Sequence, residues 1–296
     1  MDRVNVFFIK DEAILNIYSH MLPEDYAQRG NWQLLAAEAG SRALGILAFE
    51  NQGDRLSLCW LYVEPEYRWQ GVGGKLIDSL LLFMNDCSMD MPLEAEFESL
   101  ERDDLSLEAA GSLYGFFDDS PYFDCDIKSR IYTISPEDRR GSETYIKYAH
   151  KGEKPLEGVL DFFELPTGRQ QTTLATLADA GYVIHDIESW KESCIKSLCR
   201  CTFDQDKICN SAVFFTKMNK DCIMLSFLYL KEPAKSIALL AECFYLLDRL
   251  YPEAEVRIET VNSQAEELLK FFFPNHISDG RIWLCSWNYG APVEMN

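Results

Sequence analysis

The chain is short of positive charge. Against 48 aspartates and glutamates it sets only 28 lysines and arginines, a formal net charge of −20 over 296 residues. Such a field repels phosphate backbones and anionic lipid headgroups, so nucleic acids and membrane surfaces are not expected as partners. The deficit is uneven: residues 1–150 hold 27 acidic against 13 basic side chains. No uncharged apolar run reaches the ~18 residues of a membrane span. The opening Met1-Asp2-Arg3-Val4-Asn5 also lacks the basic stretch and long apolar run of a secretory leader, so the expected location is cytoplasmic. Histidine is scarce. His20, His150, His185 and His276 are scattered, without metal spacing or triad company, and each reads as bland. The ten cysteines have no paired C-x-x-C spacing, even where Cys194, Cys199, Cys201 and Cys209 cluster. They read mostly as reduced core residues, and no metal is expected.

What is present is ordinary globular composition, 47% hydrophobic and 26% charged, in a length that suits two domains. Val4–Ile9 reads as a strand, and Asp11–Tyr26 as a segment with Ile14, Leu15, Tyr18, Met21 and Leu22 on one helical face. Three strand-like runs follow, 32–37, 43–49 and 56–63, split by turn sequences into an antiparallel meander. A helix over 75–87, a strand over 92–97, a helix over 106–117 begun by Ser106, and a strand over 122–134 complete the first half. Between Ser135 and Pro155 the chain is polar and rich in breakers, with Tyr145–Ala149 readable as a last strand. The junction is placed near residue 150, giving domains 1–150 and 151–296. The second half echoes the first: Leu228-Tyr229-Leu230 before Lys231-Glu232-Pro233 repeats Leu61-Tyr62-Val63 before Glu64-Pro65 at an offset of 167. A helix over 234–250, a strand over 256–260 and a helix over 263–272 continue the echo.

The chemistry concentrates in Arg68-Trp69-Gln70-Gly71-Val72-Gly73-Gly74, between a strand and a helix. Glycines let backbone approach a phosphate, and the free amides of a first helical turn point at it. The spacing is neither that of a dinucleotide fingerprint nor that of a P-loop, and an antiparallel meander precedes it. With the preceding Val63-Glu64-Pro65 turn, the stretch resembles the signature of the GCN5-related N-acetyltransferase (GNAT) family, Arg/Gln-x-x-Gly-x-Gly/Ala after a strand. The resemblance implies an α/β (α+β) fold, a mixed, mostly antiparallel sheet flanked by helices, in two tandem copies. It implies acetyl-coenzyme A as cosubstrate, held along Leu61, Tyr62 and Val63 and by the loop Arg68, Trp69, Gln70, Gly71, Val72, Gly73 and Gly74. The reaction implied is direct transfer of acetyl to a primary amine. The family's acid, a Tyr in Leu-Tyr-x-x-x-Gly-Phe, corresponds best to Tyr114 in Leu113-Tyr114-Gly115-Phe116-Phe117, which is two residues shorter.

Glu94, Glu96 and Glu98 alternate with Leu93, Ala95 and Phe97, which puts three carboxylates on one face of a strand. Glu96 or Glu98 is the expected acceptor of the ammonium proton, and the acidic first half favours a cationic acceptor, small molecule or peptide. Lys231-Glu232-Pro233 has no glycine and one residue without an amide, so the second copy is read as degenerate. Its expected use is to complete the substrate pocket, bury apolar surface or support a homodimer. The alternative is a non-catalytic protein that binds or senses acyl-coenzyme A.

Overall fold

The computed structural model describes residues 3–101, 103–120, 122–154, 157–181, 187–231 and 233–287. Pro155, His185 and Glu232, which enter the readings above, lie outside them. The chain divides into two compact units, 1–128 with 282–296, and 129–281.

The first unit opens with β1 (Asn5–Phe8) and α1 (Glu12–Tyr18), started by Asp11, whose carboxylate accepts from the Ala13 amide at 2.7 Å. The expected helical face to residue 26 is interrupted: 3₁₀ turns at Ser19–Met21 and Tyr26–Gln28 take over, with Pro23 between them. β2 (Gln33–Ala39), β3 (Arg42–Asn51) and β4 (Leu56–Val63) form the antiparallel meander, and β1 pairs antiparallel with β2. Then come α2 (Val72–Asp86), β5 (Leu93–Leu100), α3 (Asp104–Asp118) and β6 (Asp124–Ile134). Asp103, rather than Ser106, caps α3, accepting from the Leu105 and Ser106 amides at 3.1 and 3.3 Å. The Ser106 hydroxyl instead accepts from the Leu100 amide at 3.0 Å.

Within this unit the strand order is β1-β2-β3-β4-β5, followed by β12 (Gly280–Trp287) and the start of β6. Cys125 and Cys285 form a disulfide between these last two strands, across 160 residues of sequence. Helix α2 turns Val72, Leu76, Ile77, Leu80, Leu81 and Met84 into a core shared with Leu47, Phe49, Leu58, Leu93 and Ala95. At ~1.5–3 kcal/mol for each large apolar side chain, this burial amounts to roughly 10 kcal/mol, ample to fix the helix against the sheet.

The second unit begins inside β6, at Ser129, and not near residue 150. The polar stretch expected to be a junction forms α4 (Pro136–Gly141) and α5 (Glu143–Lys151). Ser135 and Asp138 make a reciprocal capping box, Pro136 sits at the first position, and Ser142 caps α5. Tyr145 and Ala149, read as a strand, lie one helical turn apart on the buried side of α5. β7 (Leu160–Asp161), α6 (Thr167–Asp179), α7 (Ile187–Ser193), β8 (Arg200–Phe203) and β9 (Cys209–Lys217) follow. β10 (Cys222–Leu230), α8 (Pro233–Leu250), β11 (Glu255–Thr260) and α9 (Ser263–Phe272) complete it, in strand order β6-β11-β10-β9-β8-β7. Gly152 is obligatory: a Cβ there would meet the Ala241 carbonyl oxygen of α8 at 2.1 Å.

The two units share a local irregularity as well as an order of elements. β3–β4 pairing shifts register between Trp60 and Leu58, leaving Cys59 as the extra residue, and β9–β10 pairing shifts likewise at Ser226. These positions are 167 apart, the offset of the sequence echo. In each unit a parallel pairing ends just before or at the bulge. β4 pairs with β5 only from Leu56↔Leu93 to Leu58↔Ala95, and β10 with β11 only from Cys222↔Glu255 to Leu225↔Ile258.

Candidate acetyl-donor site

β4 continues five residues past its last β5 partner, and β5 continues five past its own. Cys59, Trp60, Leu61, Tyr62 and Val63 therefore pair with β3 on one side and have no β5 register on the other. This is an opening between two parallel strands, of a width sequence alone does not reveal. The bulge at Cys59 starts it, since an extra residue raises local twist and turns the strand away from its neighbour. Burial pushes the Cys59 thiol pKa up, which keeps it protonated and inert.

Beyond Val63 the chain makes a 3₁₀ turn, Pro65–Tyr67, and enters the glycine loop. Side chains of the loop hold its shape. Arg68 Nε donates to the Val63 carbonyl at 2.9 Å, its guanidinium lying 5.7 Å from the Tyr62 ring centre, and Gln70 Nε2 donates to the Glu66 carbonyl at 2.7 Å. Trp69 adopts φ +61° and is 82% exposed. A left-handed conformation in a bulky residue costs on the order of 1–3 kcal/mol. Gly71, at φ +81°, caps α2 without a side chain. A Cβ on Gly71 or Gly74 would meet nothing within 4 Å, so the space over the first turn of α2 is open. The first intrahelical bond runs from Lys75 N to Gly71 O at 3.1 Å. The amides of Val72, Gly73 and Gly74 thus precede it and carry the positive end of the helix dipole. An anion is the ligand this arrangement suits.

Gly73 has a second use that the sequence did not reveal. Its missing Cβ makes room for Phe116 of α3, whose ring edge would be 3.2 Å away. Tyr114, two residues before Phe116, turns elsewhere: its ring centre is 4.6 Å from that of Trp283 on β12, and its hydroxyl donates to Asp118 Oδ1 at 3.2 Å. Trp283 in turn donates to the Ser99 hydroxyl at 3.2 Å. The hydrogen bond to Asp118, and the negative charge of that carboxylate, push the Tyr114 pKa up.

The carboxylates of β5 occupy the other face of the sheet. Leu93, Ala95 and Phe97 pack with α2 and α3, so Glu94, Glu96 and Glu98 point the opposite way. Glu96 is ion-paired with Lys128, and Glu94 lies 3.4 Å from Arg55. Tyr114 and the glutamates are therefore on opposite faces. Burial holds the Cys201 thiol up to about 12 and the Cys209 thiol up to about 11, and Cys199 is raised first by its hydrogen bond with Cys194 and then by burial. No group of three His, Cys, Asp or Glu among the described residues is placed to hold a metal ion.

The first unit thus brings together a strand with a bulge, an opening beside it, and a glycine-capped helix presenting amides at its end. Residues 9–95 match the model of the Acetyltransferase (GNAT) family, and the chain carries a GNAT domain there. A tandem GNAT protein from the clavulanic acid biosynthesis pathway superposes over 98% of this chain and 100% of its own, with TM-score 0.54 and 10% identity. A glucosamine N-acetyltransferase region of a fungal multi-domain GH3 β-N-acetylglucosaminidase reaches TM-score 0.64 at 13% identity, covering 97% of this chain and 38% of that one. A GCN5-related N-acetyltransferase from Sphaerobacter thermophilus gives 0.55 at 14% identity over 94% and 85%. No protein of curated function matches the sequence. The fold is the GNAT fold, and the match to a tandem protein runs over nearly the whole chain. No helix among the described residues is long and apolar enough to cross a membrane.

Proposed function

We propose that this protein transfers an acetyl group from acetyl-coenzyme A to a primary amine through its first unit. The observation that carries the reading is the end of β4–β5 pairing at Leu58 and Ala95, on the strand that leads into the glycine-capped start of α2. The two halves of the donor need those two things: strand edges for the pantetheine amides, and free helix amides for the pyrophosphate. Leu61, Tyr62 and Val63 would hold the first, and Arg68 to Gly74 the second. GNAT proteins use acetyl-coenzyme A in general, and the residues present here fit it.

The chemistry asks the chain for three things. An ammonium must become an amine, the carbonyl oxygen must be stabilised as charge develops on it, and the departing thiolate must receive a proton. A backbone amide of Leu61 or Tyr62 in the open strand would serve the carbonyl oxygen. Tyr114 is the acid in this reading, kept protonated by Asp118. Glu96 and Glu98 supply negative charge on the acceptor side, although Lys128 already neutralises Glu96. The cationic acceptor, the cytoplasmic setting and any homodimer belong to the same proposal. The second unit keeps the bulge and the strand opening but has Lys231-Glu232-Pro233 where the glycines stand, and we read it as a copy that no longer cradles pyrophosphate.

A second reading, a non-catalytic acyl-coenzyme A binder, draws support from Tyr114, whose hydroxyl is engaged by Asp118 and whose ring lies against β12, one strand beyond β5 from β4. One experiment separates the two. Coenzyme A binding is measured by calorimetry, and thiol release from acetyl-coenzyme A is followed against polyamines, aminoglycosides and lysine peptides. Release with one amine class supports transfer. Binding without release from any amine supports the binder, and no binding refutes both.

A further inference from the structure

The face of β4 turned away from α2 holds a histidine and a carboxylate that the reading above does not use. His20 lies in the 3₁₀ turn after α1, and its Nε2 is 2.8 Å from Oε1 of Glu64, the residue that follows β4. Strand alternation puts Trp60, Tyr62 and Glu64 on one side. Trp60 and Tyr62 pack there with Tyr18 and Met21, while Leu61 and Val63 face the α2 core. The turn is tied to the strand twice, because Trp60 Nε1 also donates to the Met21 carbonyl at 2.8 Å. His20 is thereby fixed above the half of β4 that has no β5 partner.

Exposure separates the roles of the two side chains. The imidazole is 58% exposed and open to a solute, whereas Glu64 is 22% exposed. The other described histidines differ. His150 pairs with Glu153 three residues away, and His276 is enclosed between Asp138 and Asp279 at 11% exposure. A half-exposed pair of this kind adds only ~0–1 kcal/mol to stability, so the fold gains little from it.

We infer that His20, held by Glu64, is the general base that takes the proton from the acceptor ammonium. The inference rests on the acetyl-transfer reading and names the catalytic residue that reading lacks. Glu64 accepts from Nε2–H, which leaves the lone pair of the neutral ring on Nδ1, the nitrogen that Glu64 does not hold. One ammonium proton passes to Nδ1. The freed nitrogen lone pair forms the N–C bond to the acetyl carbon, the C–S bond breaks with its electron pair going to sulfur, Tyr114 gives its proton to the thiolate, and the second nitrogen proton replaces it on Tyr114. The imidazolium then returns its proton to water. Glu96 is already ion-paired with Lys128. Glu64 is a positioning residue.

The test uses the full chain, an amine found active with it, and the variants His20→Ala, His20→Gln and Glu64→Gln. Coenzyme A affinity, read by calorimetry, reports the fold and donor site independently of turnover. The expected result is unchanged coenzyme A affinity, a fall in kcat of about 10²–10⁴-fold in both His20 variants, and partial restoration of His20→Ala by added imidazole. Glu64→Gln is expected to lower kcat with KM unchanged, and to add nothing in the double variant with His20→Ala. If His20→Ala disturbs coenzyme A binding, His20→Gln is the variant that decides. Full turnover in a His20 variant overturns the inference while leaving acetyl transfer intact, as does a loss that imidazole does not restore. Absence of turnover by the unaltered protein with every amine refutes the underlying reading, and this inference with it.

Discussion

Gly71 separates shape from charge at the helix cap. The residue sits at φ +81°, and a Cβ there would touch nothing within 4 Å. Gly71→Ala therefore adds only the backbone cost of a left-handed non-glycine residue, about 1–2 kcal/mol. Gly71→Glu carries the same cost and places a carboxylate beside the amides of α2. At ~5 Å from a phosphate charge and an effective dielectric near ~20, the added repulsion is roughly 3 kcal/mol, or about a hundredfold in affinity. Both variants should melt a few degrees below the parent and within a degree or two of each other. In calorimetry, Gly71→Ala should retain coenzyme A affinity within about tenfold, and Gly71→Glu should bind ~100-fold more weakly still, the gap narrowing as salt rises. Equal affinities for the two variants would mean that no phosphate lies near this cap, and the donor site would have to be sought elsewhere.

Further outcomes follow from other contacts. Tyr114→Phe should lower kcat and leave coenzyme A affinity unchanged. Because Asp118 raises the Tyr114 pKa, the hydroxyl keeps its proton at neutral pH, so the alkaline fall in rate caused by its ionisation should lie above the ordinary tyrosine value of ~10; a fall centred below that is the contrary result. Gly152→Ala must push α5 and α8 apart at the Ala241 carbonyl, and urea unfolding should register a loss of at least ~2 kcal/mol. Thiol titration of the unfolded, unreduced protein should count eight groups, and ten after reduction. Breaking Cys125–Cys285 should cost up to about 5 kcal/mol, the chain-entropy value for so long a loop.

How far the sequence reaches depends on how local each signal is. The limits of 56–63 and 263–272 fall where the pattern puts them, because alternation or helical spacing runs between clear breakers. The glycine cap of α2 is likewise written in adjacent letters. Asp103 displaces Ser106 as the cap of α3 because both lie in one polar run, and spacing does not choose between them. The stretch 135–151 misleads for a physical reason: α4 and α5 are polar over most of their surface and bury only a few residues, so composition resembles a linker. Contacts distant along the chain leave no local trace. His20 meets Glu64 across 44 residues, Gly73 makes room for Phe116, and Cys125 finds Cys285 across 160. The end of β4–β5 pairing is equally hidden, since both strands continue with good strand sequence past the point where they part.

The place of β12 bears on synthesis. Residues 129–281 are, topologically, an insertion within the first unit, which closes its sheet only with a strand ending at Trp287. At ~5–20 residues per second on the ribosome, about ten to thirty seconds separate the emergence of residue 128 from that of its last strand. Through that interval β5 presents a bare edge on the side β12 will take, the kind of edge that recruits other chains. The alternating glutamates Glu94, Glu96 and Glu98 line that strand, and their mutual repulsion between copies would discourage such pairing while the nascent chain waits.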